Sequence, residues 1–101
     1  MWQRASIGSG GGTINPTIIT NQVLSANQTK NQTIDTSKKY LSVTCSRVAD
    51  STKRMSVWYV NNGTLTQLQS NGGQNTLNGD TLSAKNTSNN YYLEWTLIQL
   101  D

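Results

Sequence analysis

The sequence predicts an all-β antiparallel sandwich, with a jelly roll as one form of it, preceded by an extended N-terminal arm. Three observations carry this. Apolar residues alternate with period two, and nowhere recur at i, i+3, i+4 and i+7 over three turns. The runs are rich in Thr, Val, Ile, Tyr and Trp, which suit a pleated, half-buried surface. Turn chemistry separates the runs at roughly 8–12-residue intervals, the spacing of sandwiches and small barrels.

Taken in order, residues 13–20 contain Pro16, which limits them to an edge strand or a strand entry. Residues 22–27 and 32–35 flank a polar turn over 27–31. Residues 39–48 form the clearest strand, with Leu41, Val43 and Cys45 on one face. That face is expected inward, where Val43→Asn would cost several kcal/mol by burying an unpaired amide. Residues 54–60 and 64–69 make a hairpin about Asn61-Asn62-Gly63. Residues 70–73 form a turn, and Asn78-Gly79-Asp80 joins two short strands at 76–77 and 81–82. Residues 84–90 read as a loop and 90–100 as a long final strand. The expected core is Leu41, Val43, Cys45, Met55, Val57, Tyr59, Leu65, Leu77, Leu82, Leu93, Trp95 and Leu97.

The 101 residues allow one small domain and one core. The chain divides into an arm and Gly-rich linker, 1–12, and a β-sandwich domain, 13–101. Gly8-Ser-Gly-Gly-Gly12 has Thr13 where G-x-G-x-x-G requires glycine, and no strand-then-helix context surrounds it. It reads as a flexible joint. The joint tethers Trp2 and Ile7, an apolar arm suited to attachment. The first seven residues lack the pattern of a secretory signal.

Polar uncharged residues dominate: 14 Thr, 12 Asn, 11 Ser and 8 Gln. Histidine is absent and cysteine occurs once, at Cys45. Histidine-based acid–base catalysis, a Ser-His-Asp triad, histidine metal ligation, an intrachain disulfide and a zinc ribbon are therefore excluded. The carboxylates Asp35, Asp50, Asp80, Glu94 and Asp101 form no legible nucleophile–base or acid–base pair. The expectation is a protein that is not an enzyme, with no metal and no cofactor. The net charge is +3, but the eight cations are scattered rather than gathered on one face, so no nucleic-acid partner is expected. No apolar run approaches the roughly 20 residues that span a bilayer, so no membrane partner is expected either. Four Asn-x-Ser/Thr sites, beginning at Asn27, Asn31, Asn62 and Asn86, are what so much Asn, Ser and Thr produces by chance.

Residues 54–60 and 91–100 are apolar on both faces, whereas an antiparallel sheet in a monomer keeps one face wet. The second face needs a cover: the arm, another subunit, a ligand, or a strand that switches sheets. A closed homo-oligomer, a trimer in particular, is the usual way to hide such patches. Trp58, Tyr92, Asn89 and Asn90 are the candidate ligand or subunit contacts. Exposed aromatics beside amide side chains suit a sugar, which offers an apolar ring face and many hydroxyls.

The opening Trp2-Gln-Arg, the run Gly8–Gly12, Lys39-Tyr-Leu-Ser-Val-Thr-Cys-Ser, Val57-Trp-Tyr-Val-Asn-Asn-Gly-Thr-Leu, Thr76-Leu-Asn-Gly-Asp-Thr-Leu and Tyr91-Tyr-Leu-Glu-Trp-Thr-Leu resemble small accessory proteins of bacteriophage virions. That group comprises tail-fibre tips, head fibres and capsid decoration proteins, and similar sequences occur in bacterial adhesins. The resemblance is one of style and segment order over residues 2–12 and 39–100. It implies a non-enzymatic, symmetric protein displayed on a virion, synthesised in the bacterial host cytoplasm, with other virion proteins as partners. A carbohydrate- or receptor-binding adhesin module, with a host cell-surface glycan as partner, is the alternative. No catalytic or binding residue is carried over. The fold expectation is checked by far-UV circular dichroism, which should show β structure and turns without appreciable helix.

Overall fold

A computed structural model describes residues 16–46, 54–89 and 91–101. They form eight strands and no helix: β1 (Thr17–Leu24), β2 (Thr29–Thr33), β3 (Lys39–Ser46), β4 (Met55–Asn61), β5 (Thr64–Gln69), β6 (Gly73–Asn78), β7 (Thr81–Asn86) and β8 (Leu93–Gln99). Two antiparallel sheets pack face to face, a five-stranded sheet ordered β1-β8-β3-β4-β5 and a three-stranded sheet ordered β2-β7-β6. The chain crosses between the sheets at β1–β2, β2–β3, β5–β6 and β7–β8, and β1 pairs with β8 as β2 pairs with β7. This is the jelly-roll-like part of the sandwich. The run β3-β4-β5 is a meander.

The turns follow local chemistry. Asn62 and Gly63 both take positive φ, 50° and 75°, as a two-residue type I′ hairpin requires. Gly79 stands at +64° in the first central position of the β6–β7 hairpin, and Pro16 precedes edge strand β1 as its missing N–H demands. The β2–β3 connection is held by Asp35, whose carboxylate accepts from the Ser37 hydroxyl (2.7 Å) and the Ser37 N–H (2.9 Å). Those two bonds, first the hydroxyl and then the N–H, hold the Asp35 carboxyl below its usual range. What they add to stability is present at neutral pH and is lost as pH falls through the lowered value. Residues 84–86, expected in a loop, instead complete β7, because Ala84 and Asn86 pair with Asn75 and Gly73 across the hairpin.

The core comprises Leu24, Ile34, Tyr40, Val60, Leu82, Ala84, Leu93, Trp95 and Leu97, with Ile19, Leu65 and Leu77 packed against it. The expectation for β8 and β7 holds, since Leu93, Trp95, Leu97 and Leu82 are buried. For β3 and β4 it is reversed. Tyr40, Ser42 and Thr44 point inward from β3, and Ser56 and Val60 from β4. Leu41, Val43 and Cys45 are half-buried on the other face, with Val57 and Tyr59, and Met55 is exposed.

Close approach of the sheets explains the reversal. At Gly73, which opens β6, an added Cβ would lie 2.1 Å from Thr44 Oγ1 and 3.1 Å from Thr44 Cβ. The Ser56 hydroxyl accepts from the N–H groups of Gly73 (3.1 Å) and Asn71 (2.8 Å). Ser42 Oγ donates to Asn75 Oδ1 and accepts from Trp95 Nε1 at 2.9 Å. Where Gly73 meets β3 and β4 the facing side chains are small hydroxyls: Ser42 and Ser56 are held there by hydrogen bonds, and Thr44 packs against Gly73 with its Oγ1 unpartnered among the described residues. Period two then sends Leu41, Val43 and Cys45 of β3 and Val57 of β4 outward.

Gly73→Ala should destabilise the protein by about 2–3 kcal/mol through overpacking. Val43→Asn, on the half-exposed face, should cost less than about 1 kcal/mol in dilute monomer. Urea denaturation of the two variants checks the ranking, and the opposite order would mean that β3 faces the other way.

Candidate functional site

Two surfaces stand out. The first is the outer face of the five-stranded sheet. Register places Ile18 beside Ile98, Ile98 beside Leu41, and Leu41 beside Tyr59, an apolar row across four strands. The next row runs Asn21, Thr96, Val43 and Val57, and a third runs Val23, Glu94, Cys45 and Met55. A bulge between Ile18 and Thr20 lets Ile19 pack against the core while Ile18 stays 65% exposed. Neither β4 nor β8 switches sheets, so their two apolar faces are not explained in that way. Among the described residues nothing lies over this face.

The second is a cleft of about 310 Å³ at one end of the sandwich, lined by Ser25, Ala26, Asn89, Tyr91 and Tyr92. Its walls are the β1–β2 turn and the segment leading from β7 to β8. The turn closes through Gln28 N–H to Ser25 O (2.9 Å) and Ser25 N–H to Gln28 Oε1 (2.8 Å). Asn27 takes a left-handed φ of 60°, which asparagine tolerates. It clasps the facing segment through its N–H to Ser88 O (3.2 Å) and its Nδ2 to Asn89 Oδ1 (2.7 Å).

Asn86 anchors both walls. It is fully buried, and its Nδ2 donates to Leu24 O (3.1 Å) and Tyr91 O (2.6 Å), while its Oδ1 accepts from Ser88 N–H (2.8 Å). A buried, fully engaged amide is inaccessible as a glycosylation acceptor. Tyr91 is further held by its N–H to Ser88 Oγ (3.1 Å) and by the Arg54 guanidinium, 5.0 Å from the ring centroid. Arg54 Nη1 donates to Asn71 Oδ1 at 3.3 Å, and its buried Nε has no partner among the described residues. Tyr92 is 56% exposed.

Of the site residues expected from sequence, Tyr92 and Asn89 meet in this cleft. Trp58 lies apart from it, half-buried on the inner face of β4 beside Ser42, with its buried indole N–H unpartnered among the described residues. Asn90 and the arm residues Trp2 and Ile7 lie outside the described residues. Sequence reading missed Ser25, Ala26 and Tyr91 as cleft residues. They come from segments more than 60 positions apart, and the turn expected over 27–31 includes neither Ser25 nor Ala26. Among the described residues, no three His, Cys, Asp or Glu side chains come together in a way that could hold a metal ion.

No protein-family model matches the chain, and no curated protein or solved structure is significantly similar to it.

Asn86→Ala should lower stability by about 2–3 kcal/mol, because it strands two carbonyls and an N–H. Tyr92→Ala should leave stability within about 0.5 kcal/mol of the parent, as at an exposed site. Thermal melts of both variants check this pair.

Proposed function

We propose that this protein is a non-enzymatic structural component of a bacteriophage virion, a surface-displayed decoration or fibre part that works as a cyclic homo-oligomer, a trimer in particular. The observation that carries the assembly half of this reading is the uncovered outer face, with Leu41, Val43, Cys45, Val57, Tyr59 and Ile98 side by side. Apolar sheet faces of this kind normally mark an interface. The virion setting rests on the resemblance of the sequence segments.

Size argues for copies of the chain as the cover. Five strands at the usual spacing, each about seven residues long, present roughly 500 Å² of projected sheet. A standard interface buries about 800 Å² per partner. For attachment to the particle, Trp2 and Ile7 supply apolar side chains, each worth roughly 1.5–3 kcal/mol on full burial. Several arms on one oligomer then act together through effective concentration. Residues 1–12 are thus the attachment arm, and the β-sandwich is the displayed part.

Light scattering on the full chain should give a multiple of 11.1 kDa. The single thiol, Cys45, should react slowly with maleimide in the assembly and fast in a Val43→Asp variant, which should run as a monomer. A parent chain that stays at 11.1 kDa with a freely reactive Cys45, alone and mixed with particles, would sink the reading. Deleting residues 1–12 should leave a folded domain that no longer joins the particle. Unfolding on deletion would instead make the arm part of the domain's own packing.

A further inference from the structure

We infer that the cleft between the β1–β2 turn and the β7–β8 segment is a binding site for an uncharged sugar ring, separate from the assembly face. The inference does not rest on the virion reading.

The cleft combines the two elements that saccharides require. Tyr92 offers a largely exposed aromatic ring, on which the C–H face of a pyranose can stack. Asn89 offers an amide whose oxygen is already taken by Asn27 Nδ2, so its own N–H groups remain as donors to a hydroxyl. Ser25 and Ala26 line the facing wall.

The charge around the cleft selects the class of ligand. Among the described residues its lining includes no carboxylate and no cation. The nearby cation, Arg54, is already engaged by the Tyr91 ring and by Asn71. A neutral ligand therefore meets no charged group among the described lining residues.

The cleft is also preorganised. Asn86 holds Leu24 and Tyr91 together from beneath, and Asn27 ties the turn to Ser88 and Asn89. These bonds fix the walls at Leu24, Asn27, Ser88 and Tyr91, which lowers the ordering cost of binding. The volume of about 310 Å³ lies at the lower end for ligand sites, which sets the scale at a single ring. One such site binds weakly, and several on one oligomer would act together.

The test is an amide NMR titration of the full chain with methyl glycosides of glucose, galactose and mannose and with N-acetylglucosamine, each to about 50 mM, a ceiling suited to millimolar affinity. At least one should shift the Ala26, Asn89 and Tyr92 amides and the Asn89 side-chain NH2 saturably. Tyr92→Ala and Asn89→Ala should weaken that binding by about tenfold or more, one aromatic or hydrogen-bonding contact each, with melting unchanged for Tyr92→Ala. Tyr59→Ala, on the outer face, should titrate like the parent. The inference is overturned if none of the four sugars moves these amides, or if Tyr92→Ala binds as well as the parent. Binding of N-acetylneuraminic acid alone, lost in Arg54→Gln, would overturn it in favour of an anionic ligand.

Discussion

The close approach of β6 to β3 and β4 at Gly73 governs the rest of the molecule. No side chain can stand there, since even a methyl group would collide with Thr44. The facing positions must be small, and the two serines among them are hydrogen-bonded, while Thr44 Oγ1 has no partner among the described residues. Ser56 accepts two main-chain N–H groups, and Ser42 links Asn75 to Trp95. The sandwich therefore has a polar seam beneath β6 and a conventional apolar core around Trp95, Leu82 and Leu97.

The seam decides the outer surface as well. A strand has two faces, and if serine and threonine take the inner one in β3, the alternating Leu41, Val43 and Cys45 must take the outer one. Pairing with β4 and β8 then sets Val57, Tyr59 and Ile98 beside them. A tightly packed interior and an apolar exterior are thus one structural choice. The proposed assembly face follows from the same glycine that brings the sheets together.

The cleft has a different origin. It forms where the chain changes sheets twice at the same end, through the β1–β2 turn and the β7–β8 segment. Such crossings leave main-chain groups without ladder partners, and Asn86 satisfies three of them from a single buried side chain. The tie holds the two walls apart at a fixed distance, with Tyr92 exposed at the rim. The outer face and the cleft are built on separate elements, so association and ligand contact can coexist in one small domain.

Much of the architecture was legible in the residues themselves. Period two, β-branched and aromatic runs, and the pairs Asn62-Gly63 and Gly79-Asp80 determined an all-β chain with hairpins in the right places, because these signals act over a few neighbouring residues. So did the inward face of β8, where Leu93, Trp95 and Leu97 outweigh Glu94 and Thr96. Tyr92 and Asn89 could likewise be singled out by type. The orientation of β3 and β4 could not. Both faces of β4 carry apolar side chains, and in β3 the more apolar face is the one turned out. Only the distance between sheets, set by Gly73, which lies 17 residues from Ser56 of β4 and farther still from β3, decides which face can enter. The joining of Ser25 and Ala26 to Tyr91 and Tyr92 is also tertiary, because it depends on two sheet crossings meeting at one end. Local chemistry determined the strands and turns, and long-range sterics decided which side of them the protein shows.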